Sequence, residues 1–145
     1  MKFNRLLIPL FAVATVLTQA SAIAAEPSSS ASTAIVQPLL DKEQSGVPGK
    51  ELLMATVEYL PAGASLPHRH DAQVFVYVLE GHIKMQVTGG TEVTLGPGQT
   101  FYESPTDVHA VSANASKTER AKFLVFIVKD KAAPVTREIA PPGTS

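Results

Sequence analysis

From Leu52 to Lys129 the chain is a succession of short apolar segments, cut at intervals of roughly ten residues by turn formers. The segments are 52–60, 65–70, 74–80, 82–88, 92–95, 100–103, 109–112 and 122–129. Pro61-Ala62-Gly63, Gly81, Gly89-Gly90, Gly96-Pro97-Gly98, Pro105-Thr106-Asp107 and residues 114–117 separate them. Val, Ile, Phe, Tyr and Thr dominate the segments, as strands require. No stretch downstream of residue 25 sustains a helical stripe for three turns between breakers. The chain is therefore expected to be all-β, a sandwich or closed barrel.

Periodicity assigns faces. Ile83, Met85 and Val87 alternate with Lys84, Gln86 and Thr88, giving one buried and one solvated face. The runs 74–79 and 122–128 are apolar almost throughout, which predicts strands covered on both sides, by a second sheet or a second subunit. Residues 35–40 are expected to form a short edge strand, and residues 41–50 a turn-rich connection. The tail 132–145, with three prolines, is expected to lie extended over the surface.

The N-terminus has a different character. Lys2 and Arg5 precede an apolar run from Leu6 to Leu17, followed by Ala20-Ser21-Ala22-Ile23-Ala24-Ala25. A basic start, an apolar middle and a small-x-small end make a secretory signal peptide, residues 1–24, cleaved after Ala24 or two residues earlier. The apolar run is too short to span a bilayer, so no stable membrane insertion is expected after cleavage. The mature protein is then periplasmic or secreted, in a bacterium. The segment EPSSSASTA (26–34) reads as a flexible linker within residues 25–48, and the barrel as residues 49–131.

Composition narrows the chemistry. At 145 residues the chain supports one domain, and with no cysteine it excludes disulfides, thiolate metal sites and cysteine nucleophiles. Loss of Lys2 and Arg5 with the leader reduces 12 cations to 10, against 13 acids, a net charge of −3. That gives no electrostatic reason to expect a nucleic acid as partner. The mean hydropathy of +0.13 is explained by the leader and the doubly apolar strands.

Four histidines remain. In His68-Arg69-His70, residues i and i+2 of a strand project both imidazoles to one face, with Cβ atoms roughly 7 Å apart, while Arg69 faces away. Such a pair can hold one ion or can be two surface histidines. His109, in a segment that begins at Gly98 and turns at Pro105 and Asp107, is delivered to the start of another strand. His82 follows the Gly81 turn without a ligand-spaced partner and reads as a surface residue. Met85 and Phe101 read as core or pocket wall.

Gly63, His68, His70 and Gly81, followed by Gly98, Pro105, His109 and Asn114, resemble in order and spacing the two motifs of the cupin superfamily. The resemblance covers residues 49–129. It implies a small jelly-roll β-barrel, frequently dimeric, whose His68, His70 and His109 bind a divalent transition metal: Fe, Mn, Ni, Co, Cu or Zn. The chain departs from the pattern where the family has a metal-binding Glu, seven residues before Gly81. That position is Val74, with Gln73 beside it. Gln73 would reach the ion if the strand bulged after Asp71. Glu103 is the other carboxylate in range, and the candidate catalytic acid or base. In the second motif Asp107 replaces a glycine, and Pro105 and Asn114 are each displaced by one. The implied activity is a metal-dependent oxygenase, isomerase or lyase reaction on a small organic molecule. The alternative is a module that binds a small molecule or metal without turnover, for which Glu103 would be turned away from the histidines.

Overall fold

The structure, a computed structural model, describes residues 32–139. The expected signal peptide and most of the expected linker lie outside the described residues. Among the described residues every regular element is a strand: β1 (Ala34–Glu43), β2 (Lys50–Tyr59), β3 (Ala64–Ser65), β4 (His68–Arg69), β5 (Gln73–Glu80), β6 (Ile83–Val87), β7 (Val93–Leu95), β8 (Thr100–Glu103), β9 (His109–Asn114), β10 (Ala121–Asp130) and β11 (Arg137–Glu138). They form two antiparallel sheets, in the orders β1-β2-β10-β5-β8 and β11-β4-β9-β6-β7, with β3 also paired to β9.

The apolar alternation decides what lies between the sheets. Val74, Val76 and Val78 of β5 point inward, as do Ile83 and Met85 of β6, and all five are buried. With Val57, Tyr59, Phe123 and Ile127 they make one continuous core. Each large apolar side chain so buried contributes on the order of 1.5–3 kcal/mol. The opposite face of β5 carries Phe75, Tyr77 and Leu79, exposed beside Tyr102 of β8. Among the described residues no second sheet covers that outer face.

Three features adjust the boundaries read from sequence. The edge strand is longer than residues 35–40, because β1 pairs with β2 as far as Glu43↔Glu51. Its register slips between Pro38 and Leu40, which an edge strand tolerates since proline offers no ladder donor. Residues 65–70 form two short strands instead of one, broken at Leu66-Pro67. In the tail, Arg137 and Glu138 pair with Arg69 and His68, so β11 abuts the histidine strand.

Gly81 closes the β5–β6 turn at φ 68°, a left-handed conformation. A Cβ there would stand 2.5 Å from the Arg120 carbonyl oxygen and 2.9 Å from Ala121 Cα. Only glycine lets this turn tuck against the start of β10.

Candidate metal centre

Local geometry brings the histidines together. His68 and His109 are a directly opposed pair across β4 and β9. Their ring centroids are 5.1 Å apart, and those of His68 and His70 are 4.9 Å apart. One ring nitrogen from each of His68, His70 and His109 lies within 4.8 Å of the other two. Three ligands each about 2.1 Å from one ion lie about 3.0–3.6 Å from one another, so the rings would close by about 1 Å onto a shared ion. Arg69 alternates away, as expected, and pairs with Asp71 at 2.9 Å.

Hydrogen bonds set two of the tautomers. His68 Nδ1 lies 2.6 Å from the Leu66 carbonyl oxygen, and His70 Nδ1 lies 2.7 Å from that of Val135. A carbonyl only accepts, so in each ring Nδ1 donates and Nε2 keeps its lone pair. Burial holds the His68 pKa below the ordinary histidine value, while the Leu66 carbonyl opposes the shift. The neutral, ligating form is thereby favoured.

Glu103 completes the cluster. It ends β8, is 2 % exposed, and stands directly opposite Val74 on the inward face. The turn beyond it is pinned by two hydrogen bonds. Ser104 N–H donates to the Asp107 carboxylate at 2.7 Å, and Asp107 N–H donates to the Ser104 carbonyl at 3.1 Å. That turn returns the chain so that His109 Nδ1 sits 3.1 Å from Glu103 Oε1, while His70 Nε2 sits 4.0 Å from Glu103 Oε2. The short contact is not a hydrogen bond. Both His109 nitrogens and Glu103 Oε2 are buried without a partner. A neutral imidazole keeps one lone-pair nitrogen, so His109 and Glu103 Oε2 each offer an unpartnered buried acceptor beside the lone pairs of His68 and His70, and the residues fit a divalent metal.

Gln73 does not belong to this group. It opens β5 in regular register with Val128 of β10, without the bulge that would turn it inward, and it is exposed. Strand alternation sends Val74 to the interior and Gln73 to solvent. His82 is exposed too, packed over Gly96 and away from the centre. Met85 is core, and Phe101 stacks on His109 with centroids 5.9 Å apart. Asn114 is structural: its amide donates to the carbonyls of Leu60 and Glu119, and its oxygen accepts from Ser116 N–H.

The three histidines and Glu103 line a cavity of about 210 Å³ whose walls are mostly apolar, with Val57, Val76 and Phe123 among them. Tyr59 adds polarity there, its hydroxyl 2.7 Å from both Ser65 and Ser112. Burial raises the Tyr59 pKa, against the effect of these two hydrogen bonds. Sequence reasoning did not find this hydroxyl cluster, or the Val135 carbonyl that orients His70. Ser112 and Val135 lie 53 and 65 positions from the residues they meet, and neither contact leaves a local signal.

Comparison with known proteins agrees with this architecture. Residues 55–127 match the profile of the family described as "Cupin domain", half of the chain, and the chain belongs to that family. No curated protein matches the chain in sequence. Among solved structures, it is similar to the polyketide cyclase RemF from Streptomyces resistomycificus, with 20% identity over 77% of this chain and 74% of that one, at a TM-score of 0.58. A cupin-like protein from Thermotoga maritima aligns at 18% identity over 74% of this chain and 76% of that one, with a TM-score of 0.59. The DMSP lyase DddQ from Ruegeria pomeroyi aligns at 18% identity over 64% of this chain, with a TM-score of 0.55, and the aligned part spans only 45% of the lyase. These likenesses establish the fold, a small all-β cupin.

Proposed function

We propose that this cupin holds a divalent transition metal at His68, His70 and His109 and uses it in a reaction on a small, largely apolar organic molecule bound in the adjoining cavity. One observation carries the reading: Glu103 faces the three histidines, and the buried nitrogens of His109 and the Glu103 Oε2 all lack partners. Three neutral imidazoles leave coordination positions open, so a bound ion would supply Lewis acidity towards a carbonyl or water. The protein's own part is to fix that centre. The Leu66 and Val135 carbonyls orient two rings, and Phe101 backs the third. The cavity is smaller than the roughly 300–1,000 Å³ of ordinary ligand pockets, which favours a small substrate. Oxygenase, isomerase and lyase chemistry all suit such a centre, and Fe, Mn, Ni, Co, Cu and Zn all suit its ligands.

The test is elemental analysis of protein purified without chelator, beside a His68→Ala/His70→Ala variant. Metal in the first and not in the second is expected. Equal content in both refutes the site.

A second reading, binding without turnover, is favoured by a different observation. Beyond the central cluster the ionisable lining is Tyr59, engaged by two serines, and the exposed Glu138. Incubating metal-loaded protein with a panel of small carbonyl and carboxylic compounds separates the two. A new product points to an enzyme, and a thermal shift with full recovery of the compound points to a binding module.

The proposal extends to assembly and location. The exposed outer face of Phe75, Tyr77, Leu79 and Tyr102 suits a homodimer, and Tyr77→Lys should then halve the mass measured by light scattering. Export follows from the leader pattern; N-terminal mass spectrometry should find mature protein beginning at Ala25 or Ile23.

A further inference from the structure

Glu103 presents a problem of charge. Its carboxylate is removed from water, and among the described residues its ionic contacts are two histidines, His70 and His109, with no lysine or arginine. Oε2 has no hydrogen-bond donor. Facing it at 4.0 Å is His70 Nε2, which bears a lone pair because the Val135 carbonyl engages the other nitrogen. At 4.0 Å the two atoms are too far apart to share a hydrogen bond. Their separation falls within the about 4.2 Å that two ligands of one ion can span.

Register supplies the second observation. The family's carboxylate position, seven residues before Gly81, is here Val74, which is 1 % exposed and faces the cavity. Val74 and Glu103 are directly opposed on β5 and β8. Opposed residues in an antiparallel pair have Cβ atoms about 4.5–5.5 Å apart on the same face. A glutamate at either position therefore reaches the same part of the interior.

We propose that Glu103 is the fourth metal ligand, its carboxylate delivered from β8 into the place that residue 74 of β5 cannot supply. This rests on the three-histidine reading above. It assigns Glu103 to holding the ion and not to proton transfer. The β8–β9 connection then carries two ligands, Glu103 and His109, and the Asp107-pinned turn sets their spacing. The site carries one negative charge, as the family pattern would give, but from the adjacent strand.

The experiment measures Co²⁺ affinity by chelator competition and the visible spectrum of bound Co²⁺. The proteins are the wild type, Glu103→Val, Glu103→Gln and the exchange Val74→Glu/Glu103→Val. A partner that only orients a ligand costs roughly 10–100-fold in affinity when lost. Glu103→Val is expected to lose more than that, the Glu103→Gln spectrum to shift, and the exchange to return to within about tenfold of wild type. Should Glu103→Val not fold, the near-isosteric Glu103→Gln spectrum decides. Wild-type binding with an unchanged Glu103→Gln spectrum, or a folded exchange variant as weak as Glu103→Val, overturns the assignment of Glu103 alone. Wild type that takes up no Co²⁺ overturns the histidine site as well.

Discussion

Glu103→Gln should stabilise the metal-free protein and lose much of that advantage when metal is present. In chelator at pH 8 the wild-type carboxylate is buried, with Oε2 unpartnered and, among the described residues, no lysine or arginine beside it. Such a group costs about 1–3 kcal/mol, more when charged, and the neutral amide removes the charge without changing the volume. The metal-free variant should therefore be more stable by about 1–3 kcal/mol, which raises Tm by about 4–8 °C per kcal/mol in a domain of this size. With free Co²⁺ at one hundred times the wild-type Kd, the wild type gains about 2.7 kcal/mol. A variant with tenfold to hundredfold weaker affinity gains only about 0.4–1.4 kcal/mol under the same conditions. The variant's advantage should therefore shrink by about 1–2 kcal/mol. Differential scanning fluorimetry with EDTA and with Co²⁺, supported by urea unfolding, reads both halves. A variant that melts below wild type in EDTA would refute the reasoning, because the carboxylate would then be satisfied by the protein itself.

Other substitutions probe separate links. Gly81→Ala and Gly89→Ala both force a side chain to positive φ, but a Cβ at 81 meets backbone at 2.5 Å whereas nothing lies within 4 Å at 89. Urea unfolding should show a loss of about 1–2 kcal/mol at 89, from strain alone, and a distinctly larger loss at 81; equal losses would contradict the packing of that turn. Tyr59→Phe should cost about 1–3 kcal/mol, because it leaves the Ser65 and Ser112 hydroxyls without their shared partner. For pH, burial depresses the folded-state pKa of His68, so between that value and about 6.5 the unfolded chain binds more protons than the native one. Metal-free stability should therefore fall as pH drops below about 6.5 and be level above it, and His68→Gln should flatten the profile in chemical denaturation.

Much of the fold was legible because its signals are local. The β5 and β10 strands were read nearly to their ends, since alternation and turn residues act over a few positions. The limits at Pro38 and Leu66-Pro67 were less legible. There, pairing partners far along the chain decide whether a strand continues through a proline or stops. The same division runs through the site. His68 and His70 share a face by strand geometry, which needs no partner.

Gln73 illustrates the risk of reading one residue without its ladder. Its place beside the family position made it a candidate, and regular pairing of β5 with β10 turned it to solvent. Read alone, the amino-acid order settles that the chain is all-β, that it can hold no metal through a thiolate, and that two of its histidines project together. Only the tertiary structure decided that His109 opposes His68 and that Glu103 opposes Val74. The physical reason is the range of the interactions. Side-chain alternation is fixed by the backbone over two residues, whereas cross-strand register is fixed by the packing of the whole barrel.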